Sequence, residues 1–526
     1  MIEVGKHVKA LLVPAAICLL ASLCACNPSE TGLTAADDPA AIQAPQGIER
    51  ESTEADMGGM LEFTGVLDGE GIRQLDRYPN LRRVDLSGSE DYEAILQYGR
   101  EHPQVELRYT VELGGSAVPG DSKELRLEEG SYSVSLLAER LQFLPELKCL
   151  YLERLNCEKE ELERLLEACP ETEIHWTVPI LDGLWPEDTQ ELDLCMLEAE
   201  RAEETARALR LLPELQSVRL TDENGENRLG LEELRLLQEA KPETLFLYTF
   251  LLFGQKVSTE DESVSFVRVP IGSEGQDELR LALQCLTSCR ACLLDDCGLE
   301  NEFLAALRDE LPERNIVWRI HIEYLSLLTD VKIIHLTFLL TDENAQLLRY
   351  CRDVEYLDLG HNTIADISFT ANMPHLRYLI LSFSRVSDLR PLSACRELEM
   401  LELFQCRSLR DLSPLAYCTE LKLLNVSDTG LEDLSPLFGL QKLERLHCIG
   451  NRKIPQEQQD QLRELLPDCW ITFRQTIHNK YGWSYDGEQE QAAWYREMSK
   501  ILRYREERWF FGDYPDAWNR EERHFG

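Results

Sequence analysis

Four cysteines near the middle of the chain are the residues best suited by type to hold a metal. They are Cys285, Cys289, Cys292 and Cys297. Short cysteine spacings around a turn are typical of structural zinc sites. Cys289 and Cys292, however, fall on strand positions that we expect to face the core, where a reduced thiol packs as a small apolar group. We therefore expect no metal, and a structural role for most cysteines.

No other pattern indicates catalysis. The sequence has no hydrolase elbow, phosphate-binding loop, zinc-binding helix motif or calcium loop. His447 lies on a predicted strand without a nucleophile beside it. With 95 acidic residues, some pair always resembles a general acid and a general base. Two carboxylates near one another in the sequence therefore do not identify a catalytic site. We expect no enzymatic activity and no cofactor; an enzyme with its site in residues 60–325 is the alternative.

The charge of the chain argues against a nucleic-acid partner. The 95 acidic residues outnumber 54 basic ones, giving a formal net charge of −41. Binding of phosphates needs a concentrated basic face, and no Lys/Arg stripe is present. The acidity is sufficiently explained by solubility.

The N-terminus has the features of an export signal. Lys6 and Lys9 precede an apolar run from Ala10 to Leu23, which is shorter than the ~20 residues that span a bilayer. The run ends in Leu23-Cys24-Ala25-Cys26. This resembles the bacterial lipobox, and the resemblance implies that Cys26 is lipidated and becomes the first residue after cleavage. A cleaved signal without lipid and a retained membrane anchor are the alternatives.

A tether follows the signal. Residues 26–59 are rich in Pro, Ala, Thr, Ser and acidic residues and lack apolar periodicity. Such a stretch cannot bury enough surface to fold. We predict a signal peptide over 1–25 and a disordered spacer over 26–59, which would separate a lipid anchor from a folded body.

The C-terminal half contains a regular repeat. Its units begin at Val354, Leu376, Leu398, Leu421 and Leu443, in steps of 22, 22, 23 and 22 residues. Each has the pattern L-x-x-L-x-L, and several end in x-Asp-Leu-x-Pro-Leu, as at Asp388 to Leu392. This resembles the short bacterial leucine-rich repeat of internalin-like proteins. The resemblance implies an α/β solenoid with a parallel β-sheet on its concave face. One unit alone cannot bury its apolar residues, so stacking must create the core.

A longer period precedes the regular one. Pro103, Pro170, Pro242 and Pro312 stand 67, 72 and 70 residues apart, and each is followed by alternating apolar and polar residues. Such a stretch after a proline predicts a strand that leaves a helix. With two further strand starts in each period, residues 60–325 are interpreted as degenerate leucine-rich repeats. A separate α/β domain is the alternative.

The 22-residue register assigns each side chain to the core or to the outside. Positions 1, 4 and 6 point inward, and position 9 should bond the neighbouring turn. Positions 3, 5 and 7 point outward, and from these we predict a partner-binding surface. Its residues are Tyr356, Asp358, Tyr378, Ile380, Met400, Glu402, Phe404, Asn425 and His447.

The apolar members of this set, Tyr356, Tyr378, Ile380, Met400 and Phe404, should form one exposed patch. Exposed apolar patches rimmed by charge mark binding sites. The alternative is that the C-terminal stretch or a loop covers the patch. In internalin-like relatives this face binds host or bacterial proteins, so the resemblance implies a protein partner.

The chain beyond residue 474 is not repetitive but is rich in aromatic residues. Asp486 could cap a helix whose apolar stripe is Trp494, Met498 and Ile501. The sequence leaves two roles open for this stretch. It could be a cap that shields the last repeat, or a segment that docks onto a partner or onto cell-wall material.

Together the sequence predicts five segments: 1–25, 26–59, 60–325, the regular repeats with their cap at 326–474, and 475–526. The predicted function is that of a bacterial cell-surface lipoprotein, anchored by lipid to the outer face of the cell membrane. It binds a protein or envelope partner without catalysis. A structural scaffold of the envelope is the alternative.

Overall fold

Strands and helices alternate along the chain. Strands form where apolar residues recur at every second position, and helices form where they recur at every third or fourth position. A computed structural model describes residues 61–475, 482–486, 490–502 and 504. The chain divides into two units, Met1–Thr110 and Val111–Gly526.

The first unit contains one parallel sheet of three strands, in the order β1-β2-β3. Two helices cross between the strands. The strands are β1 Leu61–Thr64, β2 Leu81–Asp85 and β3 Glu106–Arg108, and the helices are α1 Gly69–Gln74 and α2 Tyr92–Glu101. Asp68 and Asp91 cap the two helices through their carboxylates.

In the second unit the long-period repeats form three parallel triplets of strands, β6-β7-β8, β10-β11-β12 and β15-β16-β17. Each triplet thus supplies three parallel strands per long period, in line with the two further strand starts expected beside each post-proline strand. The strands are β6 Glu124–Leu127, β7 Cys149–Leu152, β8 Glu173–Ile180, β10 Glu191–Asp193, β11 Ser217–Arg219, β12 Leu245–Leu247, β15 Ser263–Val267, β16 Ala291–Asp295 and β17 Asn315–Ile322. The helices between them are α3 Val134–Arg140, α4 Lys159–Ala168, α5 Ala202–Leu209, α6 Leu231–Ala240, α7 Gln276–Cys285 and α8 Asn301–Glu310.

Each period also contains an antiparallel hairpin that the periodicity did not predict. The turn residues explain it, because Phe253 and Gly254 both have positive φ, as a tight hairpin turn requires. The pairs are β4 Thr110–Glu112 with β5 Ala117–Pro119, β8 with β9 Gly183–Pro186, β13 Thr249–Leu252 with β14 Gln255–Ser258, and β17 with β18 Leu325–Leu328.

The regular repeats form one parallel sheet of seven strands, β19 to β25 in chain order. Equivalent positions lie side by side, so Tyr356 pairs with Tyr378 and Tyr378 with Met400. The strands are β19 Ile333–His335, β20 Tyr356–Asp358, β21 Tyr378–Ile380, β22 Met400–Glu402, β23 Leu423–Asn425, β24 Arg445–His447 and β25 Trp470–Thr472. The remaining helices are α9 Asp342–Ala345, α10 Gln456–Leu465 and α11 Ala493–Ile501.

The recurring Asp-Leu-x-Pro-Leu tail forms a short 3₁₀ helix on the side of the repeat opposite the strand. The aspartate accepts a hydrogen bond from the backbone N–H two residues later, as Asp388 Oδ1 does from Arg390 at 2.9 Å. Proline then occupies the first turn, where no intrahelical N–H bond is lost. The 3₁₀ helices between the strands of the regular repeats are Gln346–Tyr350, Ser368–Asn372, Arg390–Ala394, Ser413–Tyr417 and Ser435–Leu437.

One apolar cluster fills the interior from Leu252 to Leu466, so the last long period and the regular repeats share a core. Positions 1, 4 and 6 of every regular unit are buried, as predicted. The position-9 side chains bond neighbouring turns. Asn362, for example, accepts from the N–H groups of Leu339 and Leu340 and donates to the carbonyls of Leu336 and Leu359.

Candidate functional site

The four central cysteines are core residues. Cys285, Cys289 and Cys297 direct their Sγ atoms to the backbone carbonyls of Leu231, Ala291 and Phe266, and Cys292 is buried beside them. Burial raises the pKa of the Cys285 thiol to about 12, which disfavours the thiolate that binds metals. Within the described part of the chain, no group of three or more His, Cys, Asp or Glu side chains is arranged to hold a metal ion.

The outward side chains of the seven-stranded sheet form a continuous surface, here called the strand face. It consists of positions 3 and 5 of the repeat, since the pleat sends alternate side chains to opposite sides. The sequence-predicted set falls on it, apart from Phe404 at position 7. Its members on β19 to β24 are Ile333, His335, Tyr356, Asp358, Tyr378, Ile380, Met400, Glu402, Leu423, Asn425, Arg445 and His447.

The expectation that this face carries an exposed apolar patch is wrong at the patch's centre. Ile380 is 7% exposed and Met400 is fully buried, while Tyr356, Tyr378 and Phe404 are half-buried. The covering element is the chain's own C-terminal segment, defined here as the described residues between 482 and 504. The alternative, in which the C-terminal stretch covers the patch, is therefore the arrangement found. Binding of a partner by these residues stays a prediction.

The covering contact has an apolar centre. Trp483, Met498 and Leu502 of the C-terminal segment pack with Ile380, Met400 and Leu423 in one buried cluster. Their other apolar neighbours in this cluster are Ile333, Tyr356, Tyr378, Trp494, Tyr495 and Tyr504. This cluster is separate from the large core beneath the sheet, whose described members include no residue of the segment.

Arg445 holds one end of the segment. Its Nη1 donates to the carbonyls of Trp483 at 3.0 Å and of Tyr485 at 3.2 Å, and its Nη2 donates to the carboxylate of Asp486. The guanidinium also lies 4.5 Å from the ring centroid of Trp470. The predicted helix-capping role of Asp486 is wrong, because α11 begins at Ala493 and Asp486 binds Arg445 instead.

Glu402 and His447 lie beneath Trp483. The indole Nε1 of Trp483 donates to Glu402 Oε2 at 3.0 Å, and the hydroxyl of Ser382 donates to Oε1 at 3.0 Å. Burial raises the pKa of Glu402 to about 7, and the nearby Asp358 adds to this. Burial, with Arg445 adding, lowers the pKa of His447 to about 4, so its ring is neutral near pH 7.

Asp358 holds the other end of the segment. It accepts a hydrogen bond from the phenol of Tyr504, and Nε2 of His335 lies 3.4 Å from the same carboxylate. Burial and the carboxylate of Asp358 both raise the pKa of Tyr504, which keeps the phenol protonated as a donor. Asn425, between the two ends, is buried and accepts from the N–H of Ser427 at 3.1 Å.

A second surface feature was missed by the sequence reasoning. Phe338, His361 and Phe383 stack at position 8 of successive repeats, with centroids 4.9 and 4.3 Å apart, and Phe404 meets Phe383 edge-on at 5.3 Å. Phe338 is 71% and Phe383 42% exposed. All three position-8 residues have positive φ, near +60°. The sequence contains the signal, because aromatic side chains recur at position 8, which is not among the predicted outward positions 3, 5 and 7.

The predicted signal peptide, lipidation at Cys26 and the tether lie outside the described residues, as do the aromatic residues after Tyr504. None of the helices described between residues 61 and 504 combines the length and the apolar character that crossing a membrane requires.

The sequence matches no protein-family model and no curated protein. Among solved structures, an internalin of Listeria monocytogenes aligns at 16% identity over 79% of this chain and 80% of its own, with a TM-score of 0.22. A leucine-rich-repeat protein of Leptospira interrogans aligns at 16% identity over 78% and 93%, with a TM-score of 0.24. An internalin C2 of L. monocytogenes aligns at 21% identity over 28% and 76%, with a TM-score of 0.21.

Proposed function

We propose that this chain is an exported bacterial lipoprotein, anchored through Cys26 to the outer face of the cell membrane. Its leucine-rich-repeat solenoid binds a protein partner through the strand face, without catalysis. The observation that carries the proposal is the strand face itself, where apolar, aromatic and charged side chains project together from one in-register parallel sheet. Surfaces of this mixed composition are suited to bind polypeptide.

The lipid anchor is tested by replacing one atom. Cys26→Ser removes the thiol that the lipobox resemblance assigns to acylation, while Cys24→Ser is a matched control two residues away. We expect the wild-type and Cys24→Ser chains to incorporate radiolabelled palmitate and the Cys26→Ser chain to incorporate none. Equal incorporation by all three proteins contradicts the anchor.

Partner binding is tested by affinity capture on the purified chain without its lipidated cysteine, residues 27–526. Tyr378→Ala alters the strand face, whereas Phe404→Ala alters the stacked aromatic row beside it. We expect Tyr378→Ala to abolish capture of a specific protein, while circular dichroism shows an intact fold. Capture that is unchanged by Tyr378→Ala contradicts the use of the strand face, and loss with Phe404→Ala alone places binding on the aromatic row.

A further inference from the structure

The chemistry of the strand face differs from that of the core beneath it. The inward positions are almost all Leu, Ile, Val or Cys. The outward positions under the C-terminal segment include Asp358, Arg445 and His447, which are buried, and Glu402, which is partly buried. A permanently buried interior is more stable when it consists of apolar residues, because each buried charge loses its hydration and needs polar partners to offset that loss. Charged groups that regain water when uncovered are instead suited to a surface that opens.

The C-terminal segment contacts the strand face through one apolar stripe and through polar contacts at its two ends, as a bound helical peptide does. Met498 and Leu502 stand one helical turn apart and present one stripe to Ile380, Met400 and Leu423. The polar contacts lie at the two ends of the segment. At its start, the Asp486 turn faces the cation Arg445, and at its end, the Tyr504 phenol faces the anion Asp358.

The opposite charges at the two ends fix the direction in which an occupant lies. Asp358 on β20 and Arg445 on β24 are four strands apart, or roughly 19 Å at the usual strand spacing. The nine-residue helix α11 covers about 14 Å of this, and the flanking residues cover the rest. An occupant reversed end to end would place its carboxylate against Asp358 and leave Arg445 unpaired.

We propose that the strand face is a receptor for an amphipathic helix of a partner protein, and that the C-terminal segment is an internal ligand that occupies the face until such a helix displaces it. The inference rests on the proposed function, since it takes the strand face as the recognition surface. The partner helix carries a carboxylate in the turn before its first residue, apolar residues four apart along one stripe, and a phenol or another hydrogen-bond donor after its last turn.

The experiment uses the mature full-length chain and two labelled peptides. The native probe has the sequence of residues 482–504. The pattern probe keeps only Trp483, Asp486, Met498, Leu502 and Tyr504 and has Ala or Gln elsewhere. A released variant of the chain, Met498→Asp with Leu502→Asp, weakens the internal ligand without touching the strand face. Lys500→Ala, on the exposed side of the same helix, is the matched control.

We expect the released variant to bind both probes at least ten times more tightly than the wild-type and Lys500→Ala chains, in which the tethered segment competes at high effective concentration. A probe with Asp486→Lys should lose binding and regain it when the released variant also carries Arg445→Glu. Thermal unfolding followed by circular dichroism should show the repeats intact in every variant.

Three results overturn the inference. If the native probe does not bind the released variant, the segment is an integral part of the fold. If only the native probe binds, the pattern does not define a partner class. If the released variant dimerises and the probes dissociate the dimer, the occupant is the segment of a second copy. Binding of the pattern probe without any captured partner contradicts the proposed function alone, so the two failures are distinguishable.

Discussion

Glu402→Gln should change how the docking of the C-terminal segment responds to pH. The Glu402 carboxyl group accepts from Ser382 and from the Trp483 indole, and its burial raises its pKa from 4.5 to about 7. When the segment leaves, the side chain faces water and its pKa should return towards the ordinary value. Docking is therefore coupled to proton uptake by Glu402 as pH rises above 4.5.

The sign and size follow from these two values. Below pH 4.5 the Glu402 carboxyl group is neutral in both the docked and the released state, so it does not change the free energy of docking. Between pH 4.5 and 7 the released state ionises while the docked state stays neutral, so docking weakens by about 1.4 kcal/mol for each pH unit. Above pH 7 both states are ionised, and the cost levels at about 3 kcal/mol, or roughly 300-fold in the docking equilibrium. The amide side chain of the Glu402→Gln variant carries no charge and escapes this cost.

The histidines act in the opposite direction. The pKa of His447 is lowered to about 4 and that of His335 is also lowered, both mainly by burial. Each must lose its proton to be covered, so each weakens docking as pH falls below about 6.5. In the wild-type chain the two trends oppose one another between about pH 4.5 and 6.5. The difference between wild type and Glu402→Gln removes the histidine contribution, because both proteins contain it.

Native-state hydrogen exchange of the α11 amides, corrected for intrinsic rates, measures the opening of the segment. We expect equal protection in the two proteins at pH 4.5 and a difference that grows until about pH 7 and is constant at pH 8. His447→Gln is the control, and it should strengthen protection only on the acid side. A constant offset between wild type and Glu402→Gln at all pH values refutes the assignment of a raised pKa to Glu402.

Three further outcomes concern the repeats. Asn362→Ala should destabilise them by about 2–4 kcal/mol in urea unfolding, because it leaves two N–H groups and two carbonyls without their partner; an unchanged midpoint contradicts this. Leu401→Ala should cost about 2–5 kcal/mol by opening a cavity, whereas the exposed Lys500→Ala should have no measurable effect. Cys395 and Cys418, with pKa values raised to about 12 and about 11 by burial, should resist iodoacetamide at pH 8 in the native chain and react in urea; fast native alkylation contradicts their core positions.

The regular repeats could be predicted residue by residue. Their 22-residue period places Val354, Leu357 and Leu359 inward, and all three are buried. The reason is physical: a stacked repeat has one interior, and each unit must present the same positions to it. The hairpins of the long periods do not follow from helix and strand periodicity, because that periodicity contains no information on turns; the turn residues Gly114-Gly115 and Phe253-Gly254 are the signals that indicate them.

The positions of the strand-face residues followed from the same register, but their exposure did not. The register predicts that Ile380 and Met400 point away from the core, and both belong to the separate cluster on the strand face. It contains no information on what lies above them, because the covering residues Trp483 and Met498 belong to a segment without the repeat. A period constrains contacts between neighbouring units, whereas the bond between Tyr504 and Asp358 joins residues 146 positions apart.

Complementarity between the face and the C-terminal stretch was nevertheless present in the sequence. Apolar side chains at outward positions occur together on β21 to β23, as Ile380, Met400 and Leu423, and leaving them in water has a cost. Beyond the last repeat, Met498 and Leu502 offer a helical stripe of matching size. Each surface is unfavourable in water on its own, so a chain that carries both will bring them together unless a partner supplies a better match. The order of charges, with Arg445 at one end of the face and Asp358 at the other, then selects one direction of docking for the segment and for any helix that replaces it.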